Sequence, residues 1–298
     1  MDLSAPLTLY WQITNKCNLS CLHCLENSGP GIDISKELGR REVEKLLAKI
    51  IKAQIPYVII CGGEPLLHPD FELVCDRLSA AGVSVKIETN GHFLDTAMAQ
   101  KFKNWQVRSV QVSLDGAKLW EYKRLRPTGS WSKVINACKS LKKAGVPFEV
   151  TFAPTRFNID QAGKSIDLAR LLGAFQFNTG KMIKIGRAVK TWNRISLSSV
   201  QYDRFRSYLR KKAGTLKGRM RINCEPFDIA DALKNDIKHM PSTLILEPDG
   251  KVKISGMLPF SCGDLKKESI EKVWGRFKKM WRSGKVIERI RAMMNDES

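Results

Sequence analysis

The chain is short of acidic residues, of long apolar runs and of any cysteine framework, and each shortage excludes something. Thirty Asp plus Glu stand against fifty Lys plus Arg, a formal charge of +20. Such a field favours acidic partners (nucleic acid, an anionic substrate or a small acidic electron-transfer protein) without choosing among them. The basic residues are scattered, as in Arg40-Arg41, Lys142-Lys143 and Arg210-Lys211-Lys212, rather than gathered in a tail, so solvated helix faces explain them equally well. No apolar stretch approaches the ~20 residues of a membrane span. The first residues show neither a basic region nor the apolar run of an export signal. Eight cysteines in 298 residues, without a repeating framework, argue for a reducing cytoplasm rather than a disulfide scaffold. No internal repeat, low-complexity tract, leader-peptide module or RNA-binding platform is visible, which ranks a nucleic-acid function last.

What the chain does have is a cluster of thiols, Cys17-Asn18-Leu19-Ser20-Cys21-Leu22-His23-Cys24. Three thiolates in one loop can hold three irons of a [4Fe–4S] cube and leave the fourth iron open for chemistry. A zinc site would want a fourth Cys or His, and His23, adjacent to Cys24, reaches one tetrahedral ion only with strain. Burial as small apolar residues is the other alternative. The polar neighbours Asn15, Lys16, Asn18 and Ser20 argue against it.

Apolar β-type runs alternate with helical patterns six times. Strands are expected at Leu7–Thr14, Tyr57–Cys61, Ser84–Thr89, Ser109–Leu114, Phe148–Ala153 and Gln176–Ile185. Helices are expected near Arg40–Ala53, Phe71–Ala81, Asp95–Asn104, Ser132–Ala144 and Asp160–Leu172, three of them stopping at Gly82, Gly145 and Gly173. Strands read as near-continuous apolar runs fit a parallel sheet covered by helices, and so an α/β fold, barrel or open. Cys75 and Cys138 fall in the helical runs and read as core; Cys61 reads as packing. After about Lys190 the rhythm changes, with a basic amphipathic stretch at Ser198–Lys212, a hairpin about Pro248-Asp249-Gly250 and two terminal helical runs, Ser269–Arg282 and Lys285–Met294. The expected division is 1–190 and 191–298.

The motifs fall at carboxyl ends of strands, the edge where α/β folds place active sites. They are the cysteine cluster, Gly62-Gly63-Glu64-Pro65, Glu88-Thr89-Asn90-Gly91, Ser113-Leu114-Asp115-Gly116 and Ile185-Gly186-Arg187-Ala188, with Arg126-Pro127 downstream of Ser113. In this order the series resembles the radical S-adenosylmethionine (radical SAM) enzymes, in the branch with a C-terminal SPASM or twitch extension. The resemblance runs from about Leu7 to Arg187 and more weakly to about Trp274. It implies a partial (β/α)6 TIM-like barrel with a small C-terminal α+β extension. It also implies a [4Fe–4S] cluster on Cys17, Cys21 and Cys24, and S-adenosylmethionine (SAM) on the open iron.

By the same resemblance the cofactor is held by Gly62, Gly63, Glu64, Thr89, Asn90, Ser113, Arg126, His23 and Arg187. Glycines let bare backbone approach the methionyl amino group. Glu64 receives that ammonium or orients the loop, and Arg126 offers a planar fork to the methionyl carboxylate. Thr89 and Asn90 suit ribose, and His23 suits adenine. The implied reaction is reductive cleavage of SAM to a 5′-deoxyadenosyl radical that takes a hydrogen atom from substrate. Flavodoxin or ferredoxin is the implied electron donor.

The C-terminal part departs from the branch. Gly250 leads to Ser255 where a ligand cysteine is usual, and no cysteine-rich tail follows Trp274. Cys224 and Cys262 are too few for an ordinary auxiliary cluster. A redox-neutral outcome such as peptide epimerisation, with Cys224 or Cys262 as hydrogen-atom donor, is therefore expected on a ribosomally made peptide. The alternatives are oxidation of a small molecule (a sugar or cofactor precursor) and, in another class, a non-catalytic metal- or nucleic-acid-binding protein. The last does not account for Gly62–Glu64, Ser113 and Arg126 in order.

Overall fold

The computed structural model describes residues 3–296. One sheet of ten strands organises the molecule: β1 Thr8–Thr14, β2 Tyr57–Gly62, β3 Ser84–Thr89, β4 Ser109–Ser113, β5 Phe148–Thr151, β6 Gln176–Asn178, β7 Arg221–Asn223, β8 Thr243–Leu246, β9 Lys251–Lys253 and β10 Ser261–Asp264. The order is β10-β9-β8-β1-β2-β3-β4-β5-β6-β7. β8 and β1 through β7 are parallel, while β9 pairs antiparallel with both β8 and β10. With β10 and β7 as free edges the barrel is partial, and the segment after residue 190 extends the sheet at both edges.

The helices are α1 Arg40–Lys52, α2 Phe71–Ala80, α3 Thr96–Asn104, α4 Leu119–Leu125, α5 Trp131–Ala144, α6 Ala162–Leu172, α7 Ala188–Ile195, α8 Ser199–Thr215, α9 Ile229–Lys238, α10 Ile270–Trp281 and α11 Gly284–Asp296. Their apolar spacing dictates how they dock. On α1, Val43, Leu46, Leu47 and Ile50 recur at helical intervals and are buried. α5 buries Val134, Ala137, Cys138 and Leu141, then stops at Gly145 with φ +71°; α6 stops likewise at Gly173 with φ +101°. Cys75 and Cys138 are fully buried, as expected. The Pro248-Asp249-Gly250 hairpin joins β8 to β9.

Two expectations need correcting. The sixth strand was expected to run to Ile185 but ends at Asn178, where the backbone turns onto the end of β7 and the segment beyond it: Thr179 N–H donates to Asn223 O (3.0 Å) and Lys181 N–H to Phe227 O (2.7 Å). More consequentially, the strands are not continuous apolar runs. Leu9, Trp11, Val58, Ile60, Val85, Ile87, Val110, Val112, Val150 and Phe177 are buried against helices. The alternate positions Tyr10, Lys86, Glu88, Gln111, Ser113, Thr151, Gln176 and Asn178 line a cavity of about 640 Å³. Register aligns them in rows, Glu88 beside Gln111 beside Glu149 beside Gln176, then Ser113 beside Thr151 beside Asn178. A closed (β/α)8 barrel fills its interior with branched apolar side chains; this sheet keeps its inner face polar and open.

Candidate functional site

At the carboxyl ends of the strands, the loop after β1 carries the three thiols into the cavity wall. Cys17 and Cys21 are buried and Cys24 half-buried. The loop is tied down along its length. Lys16 bridges to Gly29, Cys17 N–H donates to Gly29 O (3.4 Å) and Leu22 N–H to Leu125 O (3.0 Å).

Two motif glycines are required by this loop. A Cβ on Gly63 would sit 2.3 Å from Lys16 O, and one on Gly62, at φ +134°, 2.3 Å from Thr14 O. Only glycine permits that approach. It brings Gly63 N–H onto Thr14 O at 2.7 Å and Glu64 N–H onto Lys16 O at 2.8 Å. Gly62 and Gly63 both line the cavity.

Glu64 is fully buried, and its carboxylate accepts from Thr89 Oγ1 (2.6 Å) and Asn90 N–H (2.8 Å). It straps the loop after β2 to the loop after β3. Burial pushes its pKa up to about 7, against the hydrogen bonds, which favour the charged form. Asn90 Nδ2 donates to Asn18 Oδ1 (2.8 Å) and approaches Cys17 Sγ at 3.8 Å. Asn90 thus spends its side-chain amide on the cysteine loop, and Thr89 its hydroxyl on Glu64.

Arg126, at the C-terminus of α4, is buried over the same loop. Its Nε donates to Asp115 Oδ2 (2.6 Å), its Nη1 to Cys21 Sγ (3.4 Å), and Nη2 lies 3.4 Å from His23 Nε2. Asp115 also accepts from Ala153 N–H at 2.7 Å. Burial opposes its charge, yet Arg126 and the Ala153 N–H hold the carboxyl below the usual range. Burial lowers His23 to about 4, so the ring is neutral, and its Nδ1 is buried without a partner among the described residues. Asp115 was missed as a site residue although its motif was noted, because its partner lies eleven positions on and only the fold joins them.

Arg187 lies under the loop. Its Nη1 donates to Cys21 O (2.9 Å) and its Nη2 to Asn27 O (3.2 Å) and Ser28 O (2.5 Å), with Arg187 N–H on Cys24 O (2.9 Å). Ser113 faces the cavity. Cys224 and Cys262 are buried in the core and neither lines the cavity, although Asn223, Glu225 and Pro226 beside Cys224 do. Cys262 is on β10 at the far edge of the sheet. Cys61 opens, with Cys24, onto a side lobe of about 200 Å³. The residues that sequence reasoning missed altogether are the cavity-facing Tyr10, Lys86, Gln111, Gln176 and Asn178, and Glu88 stood in a motif without a role. Their one signal was a period of two within each strand. A second groove, of about 680 Å³ between the loop at residues 91–96 and α5, is lined by none of the motif residues except Gly91.

Residues 11–169 match the family model described as Radical SAM superfamily. The chain belongs to the radical SAM superfamily. Among its relatives is the mycofactocin maturase MftC of Mycobacterium ulcerans, 32% identical over 67% of this chain and 53% of that protein. Another is the AdoMet-dependent heme synthase of Methanosarcina barkeri, 25% identical over 91% of this chain and 82% of that protein. This chain spans about half the length of the MftC proteins it matches. Streptococcus suis SuiB, solved bound to S-adenosylmethionine, shares the fold with a TM-score of 0.76 at 14% identity, covering 94% of this chain and 68% of SuiB; bound to precursor peptide SuiA the TM-score is 0.75.

A [4Fe–4S] cluster and SAM are the family's cofactors, and the residues present fit them. No three Cys, His, Asp or Glu side chains among the described residues converge on a single ion. A cube asks for a different arrangement, one thiolate at each of three separate corners. N–H donors already face the sulfurs: Leu19 N–H (3.4 Å) and Asn90 on Cys17, Arg126 on Cys21. Without iron, burial pushes the Cys17 thiol up to about 11 and raises Cys21, a cost that bound metal removes by taking the thiolate. Glycine backbone, a buried cation and an unpartnered imidazole nitrogen line one cavity beside the thiols. No helix among the described residues is long and apolar enough to cross a membrane.

Proposed function

We propose that this chain cleaves SAM reductively and removes a hydrogen atom from a ribosomally made peptide. When bound, the cluster and SAM supply the 5′-deoxyadenosyl radical. The protein's part is position and exclusion of water. Cys17, Cys21 and Cys24 would hold the cluster, with Arg187, Glu64 and Asn90 fixing their loop. Gly62, Gly63, Ser113, Arg126 and His23 face the space where SAM would lie. Arg126 is held charged and pointed at the cysteine loop by Asp115.

The observation that carries the reading is this convergence of three thiols, glycine backbone and a buried arginine on one cavity. MftC, as a maturase, and SuiB, bound to a precursor peptide, support a peptide substrate. We take the outcome as redox-neutral, with epimerisation as one form. A thiol S–H breaks as the substrate C–H forms, and the thiyl is reduced by one electron from the flavodoxin or ferredoxin donor with a proton from solvent. Of the two thiols expected for this, Cys224 adjoins cavity residues and Cys262 does not. In D₂O, product peptide should carry deuterium and C224A should lose it. Peptides that leave SAM cleavage unstimulated, where a small molecule accelerates it, would contradict the reading. That second reading is favoured by the heme synthase, which aligns along most of both chains.

A further inference from the structure

Along β3 to β6 the inner face of the sheet holds two carboxylates and one ammonium. Glu149 takes the ammonium: Lys86 Nζ donates to its Oε2 at 3.0 Å. It is further satisfied by Asn178 Nδ2 (2.7 Å), Gln176 Nε2 (3.3 Å) and Ser109 Oγ (2.8 Å). Lys86 turns its remaining reach to Gln111 Oε1 at 2.9 Å. Glu88 is left with Tyr10, whose hydroxyl donates to Oε2 at 2.6 Å, and with Lys86 at 3.8 Å from Oε1. The other charged groups of the cavity are engaged elsewhere. Arg126 is on Asp115, Glu225 is on Arg206 and Arg210, and Lys181 lies 6.0 Å over the Tyr202 ring.

A carboxylate turned into a cavity, as Glu88 is with 21% of its side chain exposed, is held best when a cation meets it. In a chain of +20, with cations to spare, none of the described ones is placed on Glu88 at ion-pair contact other than the shared Lys86. The same cavity carries further unanswered polar atoms. Ser28 Oγ, Thr151 Oγ1 and Thr179 Oγ1 are buried without partners among the described residues, Ser28 being 1% exposed. Three hydroxyls without partners and a carboxylate without its own cation describe a surface that waits for a polar guest.

We propose that Glu88, held by Tyr10, is the anchor for a cationic nitrogen of the substrate, an amine or guanidinium carried into the barrel. The inference deepens the function proposed above and rests on it, since the guest would occupy the same cavity. Charge sets the class. An ammonium or guanidinium completes the two-carboxylate, two-cation set, whereas a carboxylate or phosphate at this place would face Glu88 and Glu149. A substrate built around acidic groups fits this floor poorly, and a peptide presenting Lys, Arg or a free amine fits it well.

Three probes of one size and different charge test the anchor: n-butylguanidinium, n-butylurea and pentanoate. Each is titrated calorimetrically into the anaerobic, cluster-loaded chain with SAM present. The anchor predicts butylguanidinium binding roughly tenfold tighter than butylurea, with pentanoate weakest, as for one charge-assisted contact. Glu88→Gln should erase the preference, and Glu88→Asp, which keeps the charge, should retain part of it. No saturable binding of butylguanidinium to the wild type, no preference over butylurea, or the same preference in folded E88Q would each overturn the anchor. Release of 5′-deoxyadenosine under dithionite, measured on the same wild-type sample, separates the two readings. Cleavage without a cation preference overturns the anchor alone, and a Glu88-dependent preference without cleavage upholds it while overturning the proposed reaction.

Discussion

The two faces of one sheet differ more than any two domains need to. Val110 and Val112 point to the helices and are fully buried; Gln111, between them, faces the cavity and accepts from Lys86 and Asn178. β3, β5 and β6 repeat the pattern. The helix face earns stability by burial, at about 25 cal/mol per Å² of apolar surface. The cavity face cannot, and spends its positions on a hydrogen-bonded network that leaves room for a guest. Stability and function are thus separated at a spacing of one residue.

The sharpest way to break this comparison is to place the same change on both faces. Val112→Asp buries a charge with no partner and should cost several kcal/mol, enough to prevent folding at ordinary temperature. Gln111→Asp, one residue away, sets a third carboxylate between Glu88 and Glu149 but within reach of Lys86 and open to the cavity, and should cost far less and leave a folded protein. Equal loss in both would erase the distinction.

Next in size is the buried ion pair where the faces meet. Removing the guanidinium in Arg126→Ala strands Asp115, which is fully buried, and should cost ~3–5 kcal/mol in urea unfolding. Asp115→Asn in the same chain should return much of that loss. A double variant no more stable than the single one would mean that the pair is not coupled as its geometry implies.

The smallest effect is a pH slope. Burial raises Glu64 in the folded chain from 4.5 to about 7, so between those values the folded state holds a proton the unfolded state has released. Stability therefore falls as pH rises through that window, by up to ~1.4 kcal/mol per unit. Glu64→Gln should flatten the slope. An unchanged slope would place the proton on another group.

How much of this was legible in the sequence follows the same division. The helix face announces itself locally: Ser84–Thr89 was read with its observed bounds, and Ser109–Ser113 within one residue, because buried valines and isoleucines mark a strand without help. The cysteine loop was legible because three thiols in eight residues have few other uses. The cavity face was not. Tyr10, Lys86, Glu88, Gln111 and Asn178 are ordinary polar residues until register sets them in rows. Asp115 and Arg126 pair through α4, a seven-residue helix that was not anticipated. β7, Arg221-Ile222-Asn223, is a strand only because β6 offers it an edge. Arg187 could be placed at the active edge from its motif, but its hold on the carbonyls of the cysteine loop needed the fold.

The central claim is that this cavity holds a three-cysteine [4Fe–4S] cluster that cleaves SAM. The chain would be reconstituted anaerobically, reduced with dithionite and given SAM, with iron and 5′-deoxyadenosine measured together. The account predicts about four irons per chain and release of 5′-deoxyadenosine, both lost when Cys17, Cys21 and Cys24 are replaced by Ala. Folded wild-type chain that takes up no cluster, or a triple variant that keeps cluster and cleavage, would contradict it.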